Sequence, residues 1–231
     1  MPLQPAYPAR ADPSLRSIVC YFDFISPYGW LAFERIPRAL EGLSYSLQYK
    51  PVLFGAILQR LGQLGPAEIP GKREWTYRQV LWLAKSTGVE LQMPATHPFN
   101  PLPLLRLALV CGLRHEPGAV NRHVCEAIFR HVWQGGEDAV DPQRLLRLSE
   151  QLESQRRFDL EEAKALLSKN TEEAINSGVF GVPAFVVDGK VFWGLDALPM
   201  LRDYLSGAPW FDTADWQNAS KVDVGVIRRL S

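Results

Sequence analysis

Ser26 is the residue of this sequence whose setting most favours chemistry. A β-branched and aromatic run, Ile18-Val19-Cys20-Tyr21-Phe22, reads as a buried strand; it breaks at Ser26-Pro27 and continues as the helix pattern Trp30, Leu31, Phe33, Ile36, Leu40. Ser26 suits the N-cap, and Pro27 suits the first helical position, where its missing N–H leaves nothing unpaired. A group held there faces free backbone N–H donors and the positive end of the helix dipole, which stabilise an anion or a thiolate. Taken alone, a serine at this point is also what a plain helix cap requires.

A second stretch gives Ser26 a counterpart. Residues 178–194, Gly178-Val179-Phe180-Gly181-Val182-Pro183 and onward to Phe192-Trp193-Gly194, read as a loop, a strand entered at Val182-Pro183, a turn at Asp188-Gly189 and a second strand. A proline opening a strand cannot donate to the ladder and is a candidate for a cis bond, which leaves the backbone of Val182 to pair with something extended. A helix N-terminus on one side, a proline loop on the other and a cysteinyl peptide between them is a thioredoxin-like arrangement.

These motifs, Phe22-Asp23-Phe24-Ile25-Ser26-Pro27-Tyr28 with Leu31-Ala32, and Gly178 to Pro183 with Phe192-Trp193-Gly194-Leu195-Asp196, resemble the 2-hydroxychromene-2-carboxylate isomerase family over roughly residues 17–206. That family belongs with kappa-class glutathione transferases and DsbA-like oxidoreductases. Where the oxidoreductases carry Cys-Pro-x-Cys, this chain has Ser26-Pro27-Tyr28-Gly29 and cannot form that disulfide. The resemblance implies an α/β thioredoxin-like domain interrupted by an all-helical insertion, working as a homodimer with glutathione as cofactor. Ser26 would be the catalytic residue, its hydroxyl donating to the glutathione sulfur and, with the helix dipole, lowering the thiol pKa from about 8.5. Val182 and Pro183 would meet the cysteinyl backbone. The segment Trp193-Gly194-Leu195-Asp196 would contribute the rest of the cofactor site, Asp196 receiving the γ-glutamyl ammonium. Lys50, Gln63, Lys72 and Asn100 match positions that face the substrate.

The implied reaction is a cis to trans isomerisation of an aromatic carboxylate by reversible thiolate addition, ring opening, bond rotation and elimination. The chain departs from the family where Gly62-Gln63 stands for Gly-Asn, and where Gln79 and Trp82 stand for an Asp and an Arg. Trp75, Tyr77 and Trp82 are placed either to roof a pocket or to fill a helical core. A kappa-like glutathione transferase, and a non-catalytic thioredoxin-fold protein that binds thiols or peptides, are the alternatives.

Composition narrows the classes. The 231 residues carry 25 basic and 25 acidic side chains, so charge gives no argument for nucleic acid or an anionic membrane as partner. No apolar run approaches the roughly 20 residues that span a bilayer. Residues 1–16, with Pro2, Pro5, Pro8 and Pro13, lack the apolar core of a secretory signal and read as a flexible arm. Cys20, Cys111 and Cys125 have no C-x-x-C spacing and fit buried positions in a reducing compartment, here taken as the cytoplasm. His97, His115, His123 and His131 show no metal-ligand spacing and read as structural, so no metal is expected. No Gly-x-Ser-x-Gly elbow supports a hydrolase.

The elements that position these residues can be placed in chain order. Ser44 to Lys50 alternates as a strand, giving a thioredoxin-like domain from residues 17–51 and 178–207. Residues 52–177 read as the helical insertion. Its helices are expected around Phe54 to Leu61, Trp75 to Lys85 and Leu105 to Gly112, then Val120 to His131 and Leu145 to Leu152. One more starts at Asp159 and another at Thr171. Pro94 to Pro103 must be a shaped loop. Leu195 to Leu205 reads as the last helix, and residues 208–231 as an extension lying across the surface or a partner subunit.

Overall fold

The computed structural model describes residues 15–225. Residues 1–14, most of the expected arm, and the last six of the extension lie outside them. The first unit is β1 (Arg16–Phe22), α1 (Pro27–Ala39) and β2 (Tyr45–Pro51), with β1 and β2 parallel from Arg16↔Tyr45 to Phe22↔Pro51. Six helices come next: α2 (Phe54–Arg60), α3 (Pro70–Thr87), α4 (Leu102–Val110), α5 (Arg122–Trp133), α6 (Pro142–Gln151) and α7 (Leu160–Asn176). The chain then returns to the sheet as the hairpin β3 (Ala184–Val187) and β4 (Lys190–Trp193). Helix α8 (Leu198–Leu205) and the short α9 (Ala214–Asn218) close the described chain. The sheet order is β2-β1-β3-β4, with β3 antiparallel to both neighbours.

Strand alternation sorts the core into two sides. Ile18, Cys20 and Phe22 point to one face, where Phe22 packs edge-on to Phe24 at 5.2 Å and lies 5.4 Å from Phe129 of α5. Tyr21 points to the other, with Val52, Ile57, Ala174, Val179, Val182 and Ala184. The hairpin turns at Asp188 and Gly189, both at positive φ (49° and 71°), the pair a tight primed turn requires.

Three expectations are corrected. No helix starts at Thr171: α7 runs unbroken from its Asp159/Glu162 capping box, because Thr171 Oγ1 donates to Leu167 O at 2.8 Å and stays within the helix. Val120 is not helical but bridges Tyr49, its N–H donating to Tyr49 O at 2.9 Å, and Asn121 caps α5 instead. Leu205 does not end the last helix, since α9 comes after it, with Trp216 edge-on to Trp210 and Phe211. Phe211 is buried against Phe192 and Tyr204, so this part of the extension packs on the hairpin side of the sheet.

Among the described residues no helix is long and apolar enough to cross a membrane, and no group of His, Cys, Asp and Glu side chains is placed to hold a metal ion.

Candidate functional site

The site is built where β1 hands over to α1. Ser26 is the N-cap: its Oγ accepts from Gly29 N at 3.1 Å, and Pro27 occupies the first turn. The side chain is nearly buried, and its hydroxyl also reaches Val182 O at 3.3 Å, across 156 residues of sequence. The Val182–Pro183 bond is cis. Pro183 O accepts from Gly194 N at 2.8 Å, which ties the proline loop to the turn that carries Asp196. Gly194 is at φ +95°, and a Cβ there would lie 2.4 Å from Asp196 Oδ1, so the carboxylate folds back over its own turn. Ser26, Val182, Pro183, Gly194 and Asp196 thus form one connected group.

Tyr28 links this group to the insertion. Its hydroxyl donates to Gln79 Oε1 of α3 at 2.6 Å. Burial pushes the phenol pKa up, and the charge of nearby Asp196 pushes the same way. On the outer edge, Trp193 is exposed and its ring lies 4.9 Å from Phe180. A Cβ on Gly181 would meet Trp193 Nε1 at 2.4 Å, so a side chain at 181 would have to displace the indole. Leu195 is buried in the core beneath.

The four expected substrate residues are not joined to this group by any described hydrogen bond or ion pair. Lys50 Nζ pairs with Glu173 Oε2 of α7 at 2.7 Å, and the same carboxylate also lies 3.9 Å from Lys169 Nζ. Asn100 is exposed, and its Oδ1 accepts from Leu102 N at 3.1 Å at the start of α4. Gln63 and Lys72 are exposed, Gln63 in the loop after α2 and Lys72 in the first turn of α3. Of the three aromatics, Tyr77 faces inward, whereas Trp75 and Trp82 stand exposed on α3.

Two residues that sequence reasoning passed over shape the loop before Ser26. Asp23 is fully buried; Oδ1 accepts from Ile25 N at 3.1 Å and Oδ2 from Phe54 N at 3.0 Å. Burial pushes its carboxyl up to about 7, against the pull of the Phe54, Ile25 and Phe24 N–H groups. His97, in the proline-rich loop, places Nε2 at 2.8 Å from Ile25 O. A carbonyl only accepts, so Nε2 carries the proton. Burial lowers the His97 pKa, and the bond to Ile25 opposes that. The only sequence signal was position: an acid three residues before Ser26, and a lone histidine in a loop that needed shape.

The three cysteines are free and buried, and burial raises the pKa of each thiol. None of them lies at the start of α1, which carries the hydroxyl of Ser26 instead.

A hydroxyl-capped helix start facing a cis-proline loop at one end of a mixed sheet defines a thioredoxin-like protein, here split by a helical insertion. The chain belongs to the DSBA-like thioredoxin domain family, whose model matches residues 17–206. It is 28% identical over 198 residues to the 2-hydroxychromene-2-carboxylate isomerase of Pseudomonas sp. (strain C18), covering 82% of this chain and 90% of that one. It is 26% identical over 219 residues to glutathione S-transferase kappa 1 of Homo sapiens, covering 86% and 94%. A solved 2-hydroxychromene-2-carboxylate isomerase shares the fold, with a TM-score of 0.64 at 21% identity over 90% of this chain and 100% of that one. The relationship read from the two motifs is the one these comparisons return.

Proposed function

We propose that this protein is a glutathione-dependent isomerase of 2-hydroxychromene-2-carboxylate or a similar aromatic-degradation intermediate. The observation that carries the reading is the 3.3 Å approach of Ser26 Oγ to Val182 O, which brings the N-cap of α1 against the cis-proline loop. The donor set suits glutathione: a peptide edge at Val182, a carboxylate at Asp196 for an ammonium group, and a hydroxyl with free N–H groups for a sulfur anion. With every thiol of the chain buried, the sulfur must be brought in. Glutathione supplies the nucleophile that adds reversibly to the conjugated substrate.

The chain's own residues bind and orient. A cysteinyl N–H taking the Val182 carbonyl would release the Ser26 hydroxyl from it, leaving its proton for the sulfur anion while Gly29 N–H keeps the oxygen in place. Trp193 and Phe180 offer exposed apolar surface beside the proline loop, suited to an aromatic substrate. Lys50, held by Glu173, can still direct its other ammonium protons to a substrate carboxylate, and Gln63, Lys72 and Asn100 are the further polar candidates. The reading includes a homodimer in the cytoplasm.

One observation favours a second reading, a kappa-like transferase: kappa relatives match this chain over as large a share as the isomerases do. Calorimetry with glutathione, then absorbance assays on a chromene carboxylate and on a chloroaromatic, distinguish the two. The expected result is glutathione uptake with a lowered thiol pKa, isomerisation, and a loss of about 100-fold in kcat/KM for Ser26→Ala. Conjugation of the chloroaromatic without isomerisation would favour the transferase. Indifference to glutathione would leave a thioredoxin-fold binding protein.

A further inference from the structure

We propose that His97 is a positioning residue for Ser26, acting through the Ile25 carbonyl. This deepens the functional reading above and rests on it for its catalytic consequence.

Ile25 is the residue immediately before Ser26, and both of its backbone polar groups are gripped by buried or half-buried side chains. Its N–H goes to Asp23 Oδ1 at 3.1 Å, and its C=O receives His97 Nε2 at 2.8 Å. The Ser26 N–H is held by Asp23 O at 3.1 Å. The peptide that leads into the helix start is therefore held at both its carbonyl and its N–H. Its orientation decides whether the Ser26 Oγ sits over Gly29 N and against Val182 O.

His97 is itself fixed. The Tyr77 hydroxyl lies 2.8 Å from His97 Nδ1 and 2.8 Å from His97 O, so α3 orients the ring. Its ring centroid lies 5.6 Å from that of Trp133 of α5, at a tilt, and 6.1 Å from that of Phe99, edge-on. A histidine serving only to fill the core needs no donor aimed at the active-site loop, and a leucine would fill the same space. Of the contacts by which the insertion meets this loop, the imidazole is the one made to the carbonyl next to Ser26.

Hydrogen exchange with NMR readout on the full chain tests this without any ligand, because Gly29 N–H is bonded to Ser26 Oγ and reports the hydroxyl's position. His97→Leu removes the donor, and His97→Gln offers an amide N–H in its place. In His97→Leu, Gly29 exchange is expected to speed up by about tenfold beyond what the measured loss of global stability explains. In His97→Gln it should return close to wild type. Gly29 exchange that merely tracks global stability in both variants overturns the proposal. Should the leucine variant not fold, Tyr77→Phe frees the ring while keeping the donor and should give a smaller acceleration of the same amide; none at all would overturn it. In a second arm, the pKa of glutathione bound to each protein is read from thiolate absorbance. A higher value in His97→Leu, restored in His97→Gln, is expected, and an unchanged value overturns the catalytic consequence. If the wild type takes up no glutathione, the isomerase reading falls, while the exchange arm still decides the positioning role.

Discussion

A buried carboxylate rarely keeps its ordinary pKa, and the shift at Asp23 makes the stability of the fold depend on pH. Its folded value of about 7 lies above the ordinary 3.8, so the protonated form favours folding. That contribution is fully present below about pH 4 and is lost as pH rises through about 7. Asp23→Asn should flatten this slope: chemical denaturation from pH 4 to 7 is expected to show the wild type losing up to about 4 kcal/mol relative to the variant. The variant itself should start roughly 1–3 kcal/mol less stable at low pH, since its amide nitrogen faces the Phe54 or Ile25 N–H. The cap at Ser26 and the cis bond before Pro183 were legible in the sequence because cap and proline act through the backbone beside them. Asp23 and His97 were not, because their roles depend on burial and on partners 31 and 72 residues away.

At the scale of elements, α5 supports the loop from below. Trp133 is fully buried and its Nε1–H donates to Phe24 O at 3.0 Å, two residues before Ser26. Trp133→Phe leaves that carbonyl unpaired and a gap beside it; the expected cost is roughly 2–4 kcal/mol by urea denaturation. Most helices could be read from periodicity, whereas β1 and the hairpin strands, apolar on both faces, could be read from short apolar runs bounded by turn residues. The false break at Thr171 arose because polar residues that end helices in isolation also serve as buried partners. Thr171 Oγ1 accepts from Leu53 N at 3.1 Å while bonding back to Leu167, and neither bond has a local signature.

Over the whole molecule, insertion and sheet are not separable bodies. One apolar cluster includes Ile18 and Phe22 of the sheet together with Leu105, Phe129 and Leu148 of the insertion. Buried Asn170 of α7 donates to Pro51 O at 3.0 Å and to Gly118 O at 2.8 Å, joining the end of β2 to the loop before α5. Asn170→Leu should cost roughly 2–4 kcal/mol and leave calorimetric unfolding as a single transition. Two separated transitions would show that the regions fold independently. The discontinuous plan was readable from the order of motifs, but the shared core was not: periodicity shows which face of an element is apolar and not which neighbour covers it.

The three interior cysteines give the protein a built-in clock. Since Cys20, Cys111 and Cys125 are shielded in the native state, an alkylating reagent can mark the chain only during an opening event. The pace at which mass tags accumulate therefore measures how often the molecule breathes, and any ligand that steadies the fold should slow it.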